Sequence, residues 1–498
     1  MKGALLVAGT TSDAGKSTVC AAACRWLHRQ GVAVAPFKAQ NMALNSAVTP
    51  GGAEIGRAQV MQAAACGIEP EAAMNPVLIK PAGVTQSQVL VMGAPYADAT
   101  ARSYQALKPV LRPVVAEALH GLRERYDVVI CEGAGSPAEI NLRADDLANM
   151  GLARAAGLPV LLVGDIDRGG VFPALYGTLA LLEPADQALL AGFVINKFRG
   201  DPAILAPGLD QLHALTGRPV LGVLPWLDGP FPDAEDSLAL RAPLPPRGTE
   251  TLEVVVIRLR WMSNFTDVDA LVAEPDVSVR FTRAAADVER ADLVILPGTK
   301  ATVEDLERLR ADGLDDALQA RAARGDPILG VCGGYQMLGT EIVDEVESRR
   351  GRTAGLGLLP VRTTFARDKL LRRVRGTLAG APATGYEIRH GRLHRDGGEP
   401  LLEPDEGCVA GETLGTSWHG LLEGDAARRA LLARVAARRG RDWRPGTRAW
   451  ADVREAHLDR LGDWFAEHVD GDALLELIEA GAPAGLPVIG PGGAACAV

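Results

Sequence analysis

The stretch "ALLVAGTTSDAGKST", residues 4–18, joins an apolar run to a glycine-rich loop that ends in Gly15, Lys16, Ser17 and Thr18. The apolar run has the length of a buried strand, and the Ala-rich segment after the loop has helical spacing. Glycines let backbone amides surround phosphate oxygens, while the lysine and the hydroxyl suit terminal phosphates and a magnesium ion. The stretch predicts a strand, a phosphate-binding loop and a helix at the start of an α/β domain.

The loop departs from the usual GxxxxGK[ST] spacing, because Thr10 stands where the first glycine belongs. Its greater length resembles the loop of the dethiobiotin synthetase group of P-loop enzymes, which activate a carboxylate with ATP. A glycine-rich turn without a ligand is the alternative, and the strand-loop-helix context argues against it. We expect ATP to contact the loop and one later strand end: Gly9, Thr11, Asp13, Gly15, Lys16, Ser17, Thr18 and Asn196. Asn196 could border the adenine or belong to a plain turn.

Apolar β-rich runs and Ala- and Leu-rich amphipathic segments alternate through the first 230 residues. The runs are "ALLVAG", "VAVAPFK", "DVVICEGAG", "LPVLLVGDID", "LAGFVINKF" and "RPVLGVLPW". Continuous apolar strands separated by helices imply a parallel sheet that is covered on both faces. We therefore expect a doubly wound α/β domain over residues 1–230.

A Pro-, Asp- and Arg-rich stretch without a sustained period predicts a linker at residues 231–250. Alternation restarts with "TLEVVVIRL" and "ADLVILPGT", which predicts a second α/β domain at 251–440. The tail at 441–498 has apolar positions at helical spacing and predicts one or two helices.

The composition is that of a globular protein with small-molecule partners. The chain has 498 residues, 23% of them charged, and a formal net charge of -10, which argues against a nucleic-acid or anionic-membrane surface. Its seven cysteines are scattered without a CxxC pair, which indicates free thiols in a reducing compartment. With neither a signal-peptide cleavage region nor a spanning apolar stretch, we expect a cytoplasmic protein. A homo-oligomer is compatible with the sequence, which leaves the oligomeric state open.

Cys332 lies in "GDPILGVCGGYQMLG", residues 325–339, where a predicted strand turns directly into a predicted helix. A thiol at such a turn is exposed by the tight backbone, and the helix N-terminus favours its thiolate form. We expect Cys332 to be a nucleophile, with an inert core thiol as the alternative. The backbone amides of Gly333, and of Gly298 in "LPGTK", are the candidate oxyanion donors.

The candidate base for Cys332 is His419, which follows a strand in "GTSWHG". Other histidines of the second half, His390, His394 and His457, lack such a strand-end glycine context. A lone histidine is commonly structural, but together with a cysteine at a strand-to-helix turn His419 suits a catalytic pair.

"GVCGGYQMLG" together with "SWHG" resembles the class I, or triad, glutamine amidotransferase domain. In that family the cysteine attacks the side-chain amide of glutamine, forms a glutamyl thioester and releases ammonia. The family usually carries a glutamate two residues after the histidine, where this chain has Leu421, with Glu423 two further on. The third member of the triad is therefore missing or comes from elsewhere, a departure typical of the cobyrinic and cobyric acid amide synthase branch.

Longer strings resemble the cobyric acid synthase family within that branch. They are "PFKAQNMALNSAVTPGGAEIGRAQVMQAAACGIEPEAAMNPVLIKP", "EGAGSPAEINLRADDLANMG", "GDIDRGGVF" and "GYEIRHGR". The resemblance implies ATP- and glutamine-dependent amidation of the b, d, e and g carboxylates of adenosylcobyrinic acid a,c-diamide. The corrinoid would arrive as a substrate with its own cobalt, and ATP and Mg²⁺ would be the cofactors.

Several polar residues are candidates for substrate and metal contacts. Glu132 ends the strand "DVVICE" and would bind magnesium with Ser17, or else be a solvated strand-end carboxylate. Asp165 and Asp167 are further strand-end carboxylates without an assigned role. Asp146 is implied by the resemblance to act in the synthetase step, or else it only caps a helix. The candidate substrate contacts are Lys38, Gln40, Asn41, Asn45, Glu139 and Asn141.

Two rival interpretations stay open at this point. One is an a,c-diamide synthase or a cell-wall amidotransferase of the same branch. The other is a nucleotide-switched P-loop partner protein, of the cell-division ATPase type, with an inactive glutaminase domain. A protein of the second kind would not be expected to retain both Cys332 and His419.

Overall fold

The apolar run at the start of the chain forms a central strand of a six-stranded parallel sheet in the computed structural model of the protein. The structure describes residues 2–83, 85–227, 251–490 and 495–496. The linker predicted at 231–250 lies outside the described residues.

The first half of the described chain contains twelve strands and seven α-helices. The strands are β1 Gly3–Gly9, β2 Val34–Phe37, β3 Gln40–Met42, β4 Ser46–Val48, β5 Glu54–Gly56, β6 Val77–Pro81, β7 Ser87–Val91, β8 Ala94–Ala99, β9 Val128–Glu132, β10 Val160–Asp165, β11 Leu190–Phe198 and β12 Val220–Pro225. The helices are α1 Lys16–Arg29, α2 Arg57–Ala65, α3 Ala101–Arg125, α4 Met150–Ala156, α5 Val171–Leu181, α6 Pro184–Gln187 and α7 Pro202–Thr216.

The main sheet of this half has the strand order β12-β11-β10-β1-β9-β2, and all of its pairs are parallel. Side chains of β1 alternate between two apolar clusters, with Leu6 on one face and Leu5 and Val7 on the other. Alternation into two cores is what a sheet covered on both faces requires. The prediction of a doubly wound parallel sheet is confirmed, since each of the six apolar runs forms one of its strands.

The second half contains the remaining strands and helices. The strands are β13 Leu252–Ile257, β14 Val277–Thr282, β15 Leu293–Leu296, β16 Ile328–Val331, β17 Glu341–Asp344, β18 Gly351–Ala354, β19 Val361–Leu378, β20 Ala381–Arg395, β21 Cys408–Ala410, β22 Thr413–Thr416, β23 Val488–Ile489 and β24 Ala495–Cys496. The helices are α8 Ala285–Arg290, α9 Thr302–Ala311, α10 Leu314–Arg324, α11 Gly333–Leu338, α12 Asp425–Arg439, α13 Trp450–His468 and α14 Gly471–Ala480.

A second six-stranded sheet, with the order β14-β13-β15-β16-β22-β21, organises this half. Its strands are parallel except for β21 at the edge, which runs antiparallel to β22. A separate four-stranded sheet contains the long hairpin of β19 and β20. The predicted second α/β domain is confirmed as a fold, and its hairpin contacts the first domain.

The two helices of the tail, α13 and α14, pack back onto the first domain. Leu461, Trp464 and Leu477 belong to the same apolar cluster as Leu5 and Val7 of β1. The tail therefore covers one face of the first sheet, a position that its helical spacing alone could not indicate. No helix in the described residues is long and apolar enough to cross a membrane.

The described cysteines form no disulfide. Six of them, Cys20, Cys24, Cys66, Cys131, Cys332 and Cys408, are free and buried. Burial raises the pKa of the Cys20, Cys24 and Cys131 thiols well above the ordinary range, which keeps them protonated and inert. The prediction of free thiols is confirmed for these six cysteines.

Candidate active site

Cys332 occupies the turn between β16 and α11. Its backbone has φ 49° and ψ −106°, a conformation that residues other than glycine rarely adopt. The chain passes so close to β15 that a Cβ on Gly334 would lie 1.9 Å from the carbonyl oxygen of Leu296. The glycine after Gly333 is therefore required by packing, and it allows the tight strand-to-helix turn. Strain held by the surrounding structure is common at reactive centres.

His419 lies beside this thiol and is held by Asp267. The imidazole Nδ1 and the Asp267 Oδ2 are 2.7 Å apart, and the amide of Gly420 donates to Asp267 Oδ1 at 2.8 Å. Burial by itself disfavours the imidazolium, but the Asp267 carboxylate and Cys332 outweigh that effect and raise the pKa of His419 to about 10. The three groups form a thiol, imidazole and carboxylate array in which His419 is protonated near neutral pH.

Asp267 was not identified from the sequence. It stands 152 residues before His419 in a 3-10 segment, Phe265–Ala273, and no local pattern marks it. Glu423, the nearest acid after the histidine, instead forms an ion pair of 2.6 Å with Arg57 of the first domain. The acid that accompanies Cys332 and His419 thus comes from elsewhere in the chain, which was one of the two alternatives that the sequence allowed.

The candidate oxyanion glycines lie close to the same pair. Gly333 lines a small cavity of about 40 Å³ together with Cys332 and His419. Gly298 approaches the imidazole so closely that a Cβ there would lie 2.8 Å from His419 Cε1. The structure therefore places Gly333 beside the thiol and Gly298 beside the imidazole, and their role as oxyanion donors stays a prediction.

The cavity beside Cys332 is built from both domains and is rich in lysine. Lys80 of β6 and Lys369 of β19 both donate to the buried carboxylate of Glu54, at 2.6 and 2.5 Å. Burial would raise the pKa of Glu54, but the two ammonium groups hold it well below the ordinary range. Burial lowers the pKa of Lys369 to about 8, against the opposing effect of Glu54. The wall of the cavity carries more positive than negative charge, which suits an anionic group of a ligand.

The phosphate loop lines a second and larger cavity of about 430 Å³. Lys16 Nζ donates to the carbonyl oxygens of Thr11 at 2.9 Å and Gly135 at 3.2 Å, so the ammonium group is held across the loop. A volume of about 300–1,000 Å³ is typical of small-molecule sites. Of the predicted ATP contacts, those that line this cavity are Asp13, Gly15, Lys16, Ser17, Thr18 and Asn196.

The other two predicted ATP contacts, Gly9 and Thr11, touch the lysine of the loop. A Cβ on Gly9 would lie 3.0 Å from Lys16 Nζ, so a glycine leaves room for the lysine stem. Asn196 donates through Nδ2 to the carbonyl oxygen of Ala14 at 3.0 Å and so supports the loop from the end of β11. These positions are compatible with the predicted contacts, which stay predictions.

Glu132 lies at the base of this cavity with both carboxylate oxygens engaged. Oε1 accepts from Ser17 Oγ at 2.7 Å and from Lys38 Nζ at 2.8 Å, while Oε2 accepts from Gln62 Nε2 at 2.6 Å. No three His, Cys, Asp or Glu side chains cluster as a metal cage would require in the part of the chain that the structure describes. Mg²⁺ commonly takes one or two protein oxygens plus phosphates and water. The Ser17 hydroxyl and the Glu132 carboxylate fit that requirement.

The predicted substrate contacts lie in three places. Lys38 and Asn41 line the 430 Å³ cavity, and Gln40 nearby accepts from the Tyr104 hydroxyl at 2.6 Å. Asn45 lies at the contact between domains, where its Oδ1 accepts from the amide of Phe265 at 3.2 Å. The last two, Glu139 and Asn141, are exposed on the loop after β9.

Asp146 has the geometry of the capping alternative. Its Oδ1 accepts from the amides of Ala148 and Asn149 at 2.9 and 3.0 Å, and its Oδ2 accepts from Gly151 at 2.8 Å. These bonds hold the loop before α4 and occupy both carboxylate oxygens. The implied role of Asp146 in the synthetase step stays a prediction.

The remaining strand-end acids, Asp165 and Asp167, are each paired with a basic side chain. Asp165 accepts from Lys197 Nζ at 2.9 Å, and Lys197 also donates to the carbonyl oxygen of Asp13 at 2.6 Å. Asp167 lies 3.5 Å from the guanidinium of Arg199. Both acids are paired within the protein, and Lys197 fastens β10 to the phosphate loop.

The two domains meet in a buried polar contact. Ser46 donates its amide to Asn264 Oδ1 at 3.1 Å, and the Tyr386 hydroxyl donates to the carbonyl oxygen of Ser46 at 3.1 Å. The Tyr386 ring stacks on His419, with a centroid separation of 5.6 Å. The imidazole beside the thiol is therefore packed against a residue that itself touches the first domain.

Comparisons with known proteins agree with this two-part architecture. The chain matches the family of the CobQ/CobB/MinD/ParA nucleotide binding domain over residues 5–233 and that of the CobB/CobQ-like glutamine amidotransferase domain over residues 253–427. It is 58% identical to a cobyric acid synthase of Streptomyces coelicolor, over 99% of each chain. It is 57% identical to a cobyric acid synthase of Frankia casuarinae, over 99% of this chain and 100% of that protein.

Proposed function

Since the chain belongs to the cobyric acid synthase family, we propose that it converts adenosylcobyrinic acid a,c-diamide to adenosylcobyric acid. ATP would activate the b, d, e and g carboxylates in turn, and glutamine would supply the nitrogen of each new amide. One observation carries this proposal: a Cys332, His419 and Asp267 array and a phosphate-loop cavity occur in one chain, on two domains in buried contact.

At the first site, the Cys332 thiolate attacks the carbonyl carbon of the glutamine side-chain amide. The carbon–nitrogen bond breaks, His419 gives its proton to the leaving nitrogen, and ammonia departs from a glutamyl thioester. Water, deprotonated by His419, then hydrolyses the thioester to glutamate and restores the thiolate. Asp267 keeps the Nδ1 proton in place throughout, so that Nε2 of His419 handles the transferred proton.

At the second site, a substrate carboxylate oxygen attacks the γ-phosphorus of ATP, and ADP leaves. Ammonia then attacks the acyl carbon of the acyl phosphate, and phosphate leaves to give the amide. Lys16 stabilises charge on the transferred phosphoryl group. Lys38 is paired with Glu132 and, once released from that carboxylate, would neutralise a phosphate or carboxylate oxygen of the ligand. Magnesium held by Ser17 and Glu132 would supply further neutralisation of phosphate charge.

The product distribution tests the proposal. The purified protein is incubated with ATP, Mg²⁺, glutamine and adenosylcobyrinic acid a,c-diamide, and the corrinoid is followed by mass spectrometry. Four successive exchanges of hydroxyl for amino are expected, with glutamate and ADP released in step. Cobyrinic acid offered in parallel should not be amidated at its a and c positions. Amidation at those positions would instead indicate a sister a,c-diamide synthase. ATP binding without glutamate release would indicate a nucleotide-switched partner protein.

Replacement of Asp267 by asparagine should slow glutamine hydrolysis by on the order of tenfold to a hundredfold. The carboxylate raises the pKa of His419, so its removal should lower that pKa and move the alkaline limb of the activity profile to lower pH. The measurement is the pH dependence of glutamate release, together with the rate at which iodoacetamide alkylates Cys332.

Glu423→Gln is the matched control for that substitution, because Glu423 is the acid nearest the histidine in sequence and pairs with Arg57 instead. It should leave the pH profile of glutamate release unchanged. An unshifted profile in the Asp267 variant, or a shifted one in the Glu423 variant, would contradict the assignment of Asp267 as the third member.

A further inference from the structure

We propose that α13 of the C-terminal tail forms the base-binding wall of the nucleotide site, with the adenine ring against His457, Leu461 and Trp464. This inference rests on the proposed use of ATP. It assigns a ligand contact to a segment that lies beyond residues 5–233 and 253–427, the two regions that match known domain families.

The cavity of the phosphate loop has two chemically different ends. Lys16, Ser17 and Glu132 supply the charged end. The other lining side chains include Trp226 and Leu227, which follow β12, and the three residues of α13: His457, Leu461 and Trp464. A nucleoside triphosphate has the matching division, because its phosphates are anionic and its base is a flat, largely apolar ring.

The position of α13 is held by contacts with α1, the helix that follows the phosphate loop. Arg25 of α1 donates through Nε to Asp459 at 2.9 Å, and Arg29 pairs with Asp463 at 2.6 Å. Gly462, between these acids, leaves room for the Arg25 side chain, since a Cβ there would lie 3.0 Å from Arg25 Cγ. The register of α13 on α1 therefore sets which of its residues reach the cavity.

Trp464 also contacts β12, the strand that comes just before Trp226 and Leu227 of the cavity wall. Its indole N–H donates to the carbonyl oxygen of Pro225, the last residue of β12, at 3.0 Å. Trp226, the residue after Pro225, lines the cavity together with Trp464. The indole rings of both residues offer aromatic surface to the cavity, and aromatic surface of this kind suits a purine.

His457 and Leu461 lie one helical turn apart, at i and i+4, and so present one face of α13. Both are buried, with exposed fractions of 8% and 1%. Glu467, on the same helix, is exposed and does not line the cavity. The helix thus offers test positions and a control position that share the same local structure.

The test compares ATP with inorganic tripolyphosphate, which carries the charge of the phosphates and lacks the base. Binding of each to the full-length protein is measured by calorimetry in the presence of Mg²⁺, for the unchanged chain and for Leu461→Ala, His457→Ala and Glu467→Ala. Loss of apolar contact with a ligand typically weakens binding by about tenfold or more. We expect that loss for ATP in the first two variants, with tripolyphosphate affinity unchanged, and no effect in the Glu467 variant.

Two results would overturn the inference. If Leu461→Ala and His457→Ala weaken ATP and tripolyphosphate equally, α13 only supports the fold of the phosphate loop. If neither variant weakens ATP binding, the base lies elsewhere while the proposed function stands. An unchanged chain that binds neither ligand would instead refute the proposed use of ATP, and this inference with it. Unchanged tripolyphosphate affinity reports that the phosphate loop of each variant is folded, and basal glutamate release, which depends on Cys332, reports the same for the other domain.

Discussion

Cys332→Ser is expected to abolish glutamine-dependent amidation and to leave amidation from added ammonium intact. The thiolate is needed only to release ammonia, and a serine hydroxyl in its place is a far weaker nucleophile at neutral pH. Removal of a covalent nucleophile commonly costs on the order of 10⁴-fold or more in rate. Amide formation and glutamate release are measured side by side, with glutamine and with ammonium chloride as nitrogen sources.

Cys408→Ala serves as the control for the thiol. Cys408 is buried in the same domain, and burial raises the pKa of its thiol, so it is not a competent nucleophile. That variant should retain glutamate release, apart from any loss of stability through the vacated volume. Loss of ammonium-dependent amidation in the Cys332 variant would show that the two half-reactions do not occupy separate sites.

Lys16→Ala is expected to cripple amidation from both nitrogen sources, because either one requires the phosphorylated carboxylate. The ammonium group is held at the loop by the carbonyl oxygens of Thr11 and Gly135, where it can neutralise charge on the transferred phosphoryl group. Loss of such a contact typically removes several kcal/mol of transition-state stabilisation, on the order of 10²–10³-fold in rate. Corrinoid amidation and glutamate release are measured in the same sample at saturating ATP.

Basal glutamate release should persist in this variant, because Cys332 and His419 belong to the other domain. Lys16→Met separates charge from packing, since it keeps an unbranched stem against Gly9 and should be as inactive in amidation as the alanine variant. Lys2→Ala, at an exposed lysine, is the matched control and should behave like the unchanged chain. Near-normal amidation in either Lys16 variant would mean that the glycine-rich loop is not the ATP site.

Features encoded in short stretches of sequence were predicted correctly. The phosphate loop follows β1, and the six apolar runs of the first half form its parallel sheet. Cys332 lies at the expected strand-to-helix turn, with His419 beside it. Burial periodicity and glycine spacing act over a few residues, so they can be read along the chain without knowledge of its folding.

Asp267 and the tail depended on the three-dimensional arrangement. Asp267 contacts His419 from 152 residues earlier in the chain. It lies in a short 3-10 segment, and no local sequence pattern marks it. Leu461 and Trp464 show helical spacing, but that spacing does not reveal that they face the phosphate cavity. For Asp146, the same residue type suited a catalytic acid and a cap, and only its three backbone partners show the capping geometry.

The sequence by itself therefore determined the two α/β folds, the glycine-rich loop before α1 and the strand-to-helix turn at Cys332, because each follows from local hydrogen bonding and the alternation of apolar side chains. Only the tertiary structure decided which acid orients His419, where the two domains meet and what α13 covers. Those features arise from contacts between segments far apart in the chain. Such contacts are selected by packing and charge complementarity in three dimensions, which leave no spacing for a sequence pattern to reveal.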